Sequence, residues 1–504
     1  MTSRLKDPAH RWPLSIAIML AMIMNSLDTT IANVALPHLQ GSISASQEQI
    51  SWVLTSYIVG GVVATPLTGW AASRIGPKRL FIVAIIGFTV ASMLCGASTN
   101  LSEIVIFRLA QGMFGAVMMP LSQTVMLDIT PAAERGKSMG LWSAGTMLGP
   151  VMGPALGGFL TDRLTWRWVF YINVPVGIMA ILGILTFMAR DGDEPAKRFD
   201  FLGFGALALA IGGFQLMLDR GPSLDWFASR EVCIEGLTAL VGAWIFVIHT
   251  MTAPHPFFDR ALFRDRNFMM AGVLAFVVGM LLFSTLALMP PLMQNLLGYP
   301  VLTSGLVNMP RGVGSMVSML VVGQLIGRLD SRLVMMAGFG LCGFSLWQMT
   351  QFDLTMPAEP IMLAGLLQGL GIGLMFVPLS TLAFATLAPR LRAEGASVFN
   401  LVRSMGSGAG ISIMNALIVS NTQVLHAELG GRIDPSNPVL GADASARIDL
   451  STVAGLAALN GEINRQAAMA AYLDDFRLMF VVTLVCMPFL LLMRIPRGQS
   501  LSTS

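Results

Sequence analysis

Ionisable side chains are scarce in the long apolar runs of this 504-residue chain, and chemistry is expected where the few exceptions fall. An ionised group in hydrocarbon is costly, so it persists there only with a partner or a task. Asp28 is read as the one acid well inside such a run, toward the far end of the first, with Asn25 three residues earlier on the same helical face. Arg108 lies early in the fourth run, at a similar depth if the runs alternate in direction, so the two are expected to be able to meet. Burial disfavours an ionised carboxylate, whereas a neighbouring guanidinium favours it. A conformational change that alters their separation or hydration would make Asp28 take up or release a proton. A static pair, or a hydrogen bond to backbone, is the other reading. Arg108 shares a face with Gln111, Gly112 and Gly115, which lets a neighbouring helix approach closely.

Other polar residues within the runs are candidates to line a cavity: Asn33, Gln111 and Gln294 with Asn25, and two further arginines. Arg311 and Arg403 each precede a glycine-rich segment, RGVGSM and RSMGSGAG, so contact with helix carbonyls and cavity lining stand equally open. One acid and up to three arginines suit neutral or anionic amphiphiles, such as fatty acids or hydrophobic weak acids, better than dications.

These residues need helices to hold them. The chain is 54% hydrophobic and 12% charged, against about 25% charged for soluble domains. Apolar runs of about 20 residues, enough to cross a bilayer, recur near 14–36, 50–72, 80–98, 102–125, 138–161, 168–189, 201–218, 233–251, 268–290, 303–326, 333–350, 360–388, 396–420 and 476–493. The expected fold is an all-α membrane protein with 14 transmembrane helices. Most of the 31 Lys and Arg fall in the termini and in alternate loops, which predicts both termini on the cytoplasmic side. The basic first segment runs into an uncleaved first span. The net charge of +3 gives no ground for a nucleic-acid partner. Cys95, Cys233, Cys342 and Cys486 form no CxxC pair and the five histidines are scattered, so no metal or disulfide framework is expected. The 36 methionines read mainly as packing and lipid-facing residues. A long outer connection, about 421–475, ends in STVAGLAALNGEINRQAAMAAYLDD, which can form an amphipathic helix.

The stretch GLWSAGTMLGPVMGPALGGFL at 140–160 would not hold a helix in water, where each interior Gly costs about 1 kcal/mol and each Pro about 3. In lipid the backbone stays helical because unsatisfied groups are costlier still. Gly145, Gly149, Gly153 and Gly157 then form a bare stripe for close packing, and Pro150 and Pro154 remove two donors and permit bending.

Several segments resemble one family. LDTTIANVALP at 27–37 looks like the first-span signature of the fourteen-span drug:proton antiporters of the major facilitator superfamily, the EmrB/QacA type. IFRLAQGMFGA at 106–116 resembles the fourth-span motif, whose arginine corresponds to Arg108. The glycine-rich stretch matches the antiporter motif at Gly140, Gly149, Gly153, Pro154, Gly157 and Gly158. WRWVFYINVPVG and LVNMPRGVGSM are similar to later signatures, in family order. In the loop GWAASRIGPKRLF, Gly69, Arg74, Gly76, Lys78 and Arg79 match the superfamily pattern, but Ser73 stands where an aspartate is expected, so an aspartate-centred lock does not carry over. A partial echo, GQLIGRLDSR, follows the tenth span.

The resemblance implies two six-helix bundles, 1–190 and 261–504, with two inserted helices over 191–260. It implies a secondary antiporter of the inner membrane that exports hydrophobic organic compounds in exchange for protons, with no cofactor. An importer, or a narrow exporter of a fatty acid or metabolite, is the nearer rival. A primary pump is disfavoured because GKS at 136–138 has Pro131 where a phosphate loop begins with glycine. No clustered ligands or HExxH indicate an enzyme, and a non-transporting sensor fits the intact motifs poorly. The expected partners are small amphipathic substrates, protons and the bilayer. A periplasmic adaptor and outer-membrane channel are a further expectation.

Overall fold

The computed structural model describes residues 8–43, 45, 47–131, 134–189, 198–326, 329–432 and 452–493, and these are helical almost throughout. The helices are α1 Pro8–Ile43, α2 Gln47–Ala64, α3 Leu67–Ile75, α4 Pro77–Ala97, α5 Leu101–Ile129, α6 Arg135–Arg163, α7 Trp168–Tyr171, α8 Asn173–Phe187 and α9 Phe201–Arg220. They continue as α10 Arg230–Thr252, α11 Arg260–Arg264, α12 Arg266–Pro291, α13 Val301–Leu325, α14 Ser331–Met349, α15 Ala358–Ala385, α16 Arg392–Gly431 and α17 Val453–Cys486. Every apolar run read from the sequence falls on one helix or one broken pair. By length and hydropathy alone, 10 helices among the described residues can cross a membrane, or 11 with the bent pair α2–α3.

Local chemistry marks the starts. Asn100 Oδ1 accepts the Glu103 N–H at 2.9 Å, and Glu103 Oε2 accepts the Thr99 N–H at 2.9 Å, a reciprocal cap on α5. Asp200 and Asp265 cap α9 and α12 in the same sense, each accepting at 2.9 Å. Prolines set two breaks that the apolar pattern did not predict. Span 50–72 bends by 58° between α2 and α3, where Pro66 has no N–H to offer the helix. The sixth span breaks at Ile172 between α7 and α8, because Pro175 cannot donate to the carbonyl four residues earlier.

The last helix also departs from expectation. The outer connection is largely helical: α16 runs to Gly431 and α17 begins at Val453, well before 476. The segment 433–451 lies outside the described residues. This extension carries a further buried acid, Asp475, 1% exposed, and Glu394 of α16 is 6% exposed, so Asp28 is not alone. The amphipathic helix above the membrane continues into the span without a break, which hydropathy windows cannot register.

Helices α1 to α8 pack on one another, with α1 against α6 and α8, and α5 against α2 and α4. Helices α12 to α17 do likewise, with α15 holding α13 and α14, and α16 holding α12 and α17. Helix α6 lies along α13, α16 touches α3 and α5, and the α9–α10 pair reaches α2 and α16. Leu237, Leu240, Trp244 and Met251 leave one side of α10 exposed and apolar. The end of the array where α1 begins is called the base below. There Arg11 pairs with Glu134 at 2.7 Å.

Candidate functional site

Asp28 is held from two neighbouring helices. Arg108 Nη1 donates to Asp28 Oδ2 at 2.6 Å, Gln111 Nε2 to Oδ1 at 2.8 Å, and Asn173 Nδ2 to Oδ1 at 2.8 Å. Arg108 and Gln111 sit one turn apart on α5, while Asn173 opens α8, where the proline break turns it inward. All four are buried, Asp28 at 1% exposure and Arg108 at 0%. A buried pair survives desolvation when further hydrogen bonds satisfy its remaining lone pairs and protons, and here both carboxylate oxygens and the Nε and Nη1 of Arg108 are bonded. Arg108 Nε donates to the Val53 carbonyl at 3.3 Å, and its guanidinium lies 4.2 Å from the Tyr57 ring centre. Tyr57 donates to Asn25 Oδ1 at 2.9 Å, and Asn173 also donates to Ser92 at 2.9 Å. Gly112 makes this approach possible: a Cβ there would stand 2.1 Å from the Tyr57 carbonyl oxygen.

Gln111, expected to line a cavity, is instead fully buried on Asp28. Asn173 and Tyr57 were missed. Neither is charged, and only the proline two residues past Asn173 signals that it leaves the regular helix. The side chain of Asn33 lies outside the described residues.

Helix α6 runs unbroken through the glycine-rich stretch. Near the base, a Cβ on Gly140 would stand 2.5 Å from the Met319 carbonyl of α13. Farther along, added Cβ atoms on Gly145, Gly149 and Gly153 would meet Met19, Ser26 and Thr30 of α1 at 2.8, 2.3 and 2.0 Å. Gly158 has nothing within 4 Å. The Gly157 carbonyl accepts from Thr161 Oγ1 at 2.5 Å. Pro150 leaves the Thr146 carbonyl without its helical donor, and Ser26 Oγ supplies one at 2.7 Å. The Pro154 side chain lies outside the described residues.

The two other arginines have no carboxylate within ion-pairing distance among the described residues. Arg311 is 4% exposed, donates to the Leu282 carbonyl at 2.7 Å, and has no partner for Nη1. Arg403 is 7% exposed, with Nη2 at 2.9 Å from Met119 Sδ and Nε unpartnered. Gln294 is elsewhere, its amide 3.4 Å from Ser304 Oγ.

At the base, Ser73 Oγ donates to its own helix, to the Trp70 carbonyl at 2.8 Å. Arg74 is in the last turn of α3, and Gly76 takes φ 88°, which an L side chain rarely adopts. Lys78 Nζ caps α8 through the Leu185 and Met188 carbonyls at 2.9 and 2.5 Å, and Arg79 opens α4 beside it. A different set of residues joins α5 to α16: Arg392 Nη1 to Asp128 at 2.8 Å, and Asn400 Nδ2 to Gln123 Oε1 at 2.9 Å. Glu394 packs against Gly69, where a Cβ would come within 2.9 Å of it.

Known proteins share this plan. The sequence pattern of the Major Facilitator Superfamily matches residues 18–411. The multidrug export protein EmrB of Escherichia coli (strain K12) is 34% identical over 429 residues, 84% of this chain and 83% of that one. The fatty acid resistance protein FarB of Neisseria gonorrhoeae is 32% identical over 495 residues, 98% and 97% of the two chains. The solved structure of the proton:xylose symporter XylE superposes with a TM-score of 0.62 at 12% identity, covering 95% of this chain and 96% of that one, a likeness of fold. The chain is a transporter rather than an enzyme, and it belongs to the Major Facilitator Superfamily, among its EmrB-type drug:proton antiporters.

Proposed function

We propose that this protein is a proton-coupled exporter of amphipathic organic compounds, in which Asp28 carries the proton and Arg108 answers its charge. The observation behind this reading is the Asp28 cluster: one carboxylate ties α1 to α5 and α8 through Arg108, Gln111 and Asn173. Protonation removes the charge that Arg108 neutralises and one of the acceptors its donors use, which loosens the three helices together. Deprotonation draws them back. Occupancy by a proton and by substrate then bias the same two-state element, which is what coupling requires. The relatives named for multidrug export and fatty acid resistance support the direction and the substrate range.

In this reading, 1–190 and 261–504 are two bundles that rock about a site near the midplane, and 191–260 is an inserted hairpin. The base faces the cytoplasm, with both termini on the cytoplasmic side of the inner membrane, as the loop arginines and lysines favour. Asp128–Arg392 and Gln123–Asn400 hold the cytoplasmic ends together in place of the aspartate absent at Ser73. The helical extensions of α16 and α17 beyond the opposite face offer a docking element for a periplasmic adaptor leading to an outer-membrane channel.

The test is transport in proteoliposomes under an imposed proton gradient. Asp28→Asn is expected to fold and insert yet to lose gradient-driven efflux. Undiminished efflux by that variant would overturn the coupling role.

A further inference from the structure

Arg403 belongs to a ring of side chains that lies apart from the Asp28 cluster and shares Gln123 and Asn400 with the contact between α5 and α16. Its guanidinium carbon lies 5.8 Å from the Phe376 ring centre, and Phe376 stacks on Trp142 with centres 6.4 Å apart. Trp142 Nε1 donates to Ser122 at 2.9 Å, Gln123 follows Ser122 on α5, and Asn400 completes the ring one turn before Arg403 on α16. The ring draws on α5, α6, α15 and α16, from both groups of helices.

Among its unpartnered buried atoms, donors outnumber acceptors by two to one. Arg403 Nε and Gln123 Nε2 are buried with no hydrogen-bond partner, against one such acceptor, Asn400 Oδ1, and the guanidinium meets the Met119 sulfur and the Phe376 ring with no carboxylate in ion-pairing distance among the described residues. A buried ionised group without a counter-charge is among the least favourable arrangements a protein can hold. Arg108, equally buried, has Asp28. The geometry points to a missing anion: a carboxylate head accepted by Arg403 and Gln123, with an apolar body lying along the Trp142–Phe376 pair. Guanidinium binds carboxylate through paired, charge-assisted hydrogen bonds, and the aromatic faces supply apolar area. Arg403 is then the residue that selects substrate charge, favouring amphiphilic carboxylates over uncharged or cationic molecules of the same length. This inference rests on the exporter reading above.

The experiment uses three probes of equal chain length: dodecanoate, dodecanamide and dodecyltrimethylammonium. Equilibrium binding is measured on the full chain in phosphatidylcholine nanodiscs, where no anionic lipid can occupy the guanidinium, and transport is measured in proteoliposomes. Wild type is expected to bind and move dodecanoate best. Arg403→Gln should weaken dodecanoate binding by about tenfold or more, the scale of a charge-assisted hydrogen bond, and leave dodecanamide within about threefold. Arg403→Lys keeps the charge and should recover most of the loss, which guards against a simple folding defect. Unchanged dodecanoate binding by Arg403→Gln, or an equal fall for all three probes, would overturn the assignment. Proton-driven movement of the amide or the cation without dodecanoate binding would overturn it and leave the exporter reading standing. Arg403-dependent binding of dodecanoate without transport of any probe would uphold the site and overturn the exporter reading.

Discussion

The helices α1–α8 and α12–α17 build the same polar junction with different chemistry. In the first, Gln111 Nε2 donates to Asp28 at 2.8 Å; in the second, Gln368 Nε2 donates to Thr285 at 3.1 Å. Each glutamine precedes a glycine set against a neighbouring carbonyl, Gly112 under Tyr57 and Gly369 under Arg311, where a Cβ would stand 2.1 and 2.0 Å from the oxygen. Cys95 lies 3.6 Å from the Gln111 side chain and Cys342 lies 3.6 Å from the Gln368 carbonyl. Asn173 bonds Asp28, whereas Met479 Sδ sits 3.9 Å from Thr285. Carboxylate becomes hydroxyl and amide becomes thioether. The scaffold therefore does not dictate the charge: one copy carries a neutralised ion pair able to exchange a proton, and the other carries none. The buried arginines of the second group, Arg311 and Arg403, pair with no acid among the described residues, although Asp475 and Glu394 are buried on its helices.

The largest effect should come from unbalancing the charged copy. Arg108→Leu leaves a buried carboxylate unpaired and is expected to destabilise the protein by about 3–5 kcal/mol. Adding Asp28→Asn should restore much of this, seen as recovery of the thermal midpoint in detergent. No recovery would mean that Arg108 acts through packing and not through Asp28.

Gly112→Val and Gly369→Val test whether the scaffold is shared. Each forces atoms into a carbonyl and is expected to cost about 1–3 kcal/mol, by similar amounts. A large loss in one and none in the other would break the equivalence drawn above. Thr285→Val leaves Gln368 without its acceptor, an expected loss of about 1–2 kcal/mol in stability. Unlike Asp28→Asn, it should leave the stoichiometry of protons per substrate unaltered, as read from reversal potentials.

The smallest stability effect is expected at the base, because Asp128 is half-exposed. Arg392→Ala should change the unfolding midpoint by no more than about 1 kcal/mol equivalent. It should nonetheless raise labelling of a cysteine placed at the buried Thr124, by relaxing the tie between α5 and α16. Unchanged labelling would show that Asp128–Arg392 is not part of the closure.

Much of this was legible in the chain itself. A charge in an apolar run is visible because lipid penalises it, so Asp28 and Arg108 could be named and their meeting anticipated from depth alone. Glycines every fourth residue could be read as a packing stripe because helical periodicity is fixed by the backbone. Neutral polar residues leave no such mark. Asn173 matters through a helix break, and Tyr57 through the ring it lays over Arg108; neither has an apolar-run signature. Gly158 shares a motif with Gly153, yet only one touches a neighbour.

Composition and spacing by themselves determined that this chain is a many-helix membrane protein, with one acid and one arginine at matching depth and one helix made for close packing. They could do so because bilayer thickness, the cost of buried charge and the helical repeat act on each segment alone. Only the tertiary structure decided which groups are neutralised and which are left with donors to spare. Arg108, Arg311 and Arg403 look alike in sequence, but their fate depends on what the neighbouring helices bring against them: a carboxylate, a carbonyl, or a sulfur and an aromatic face.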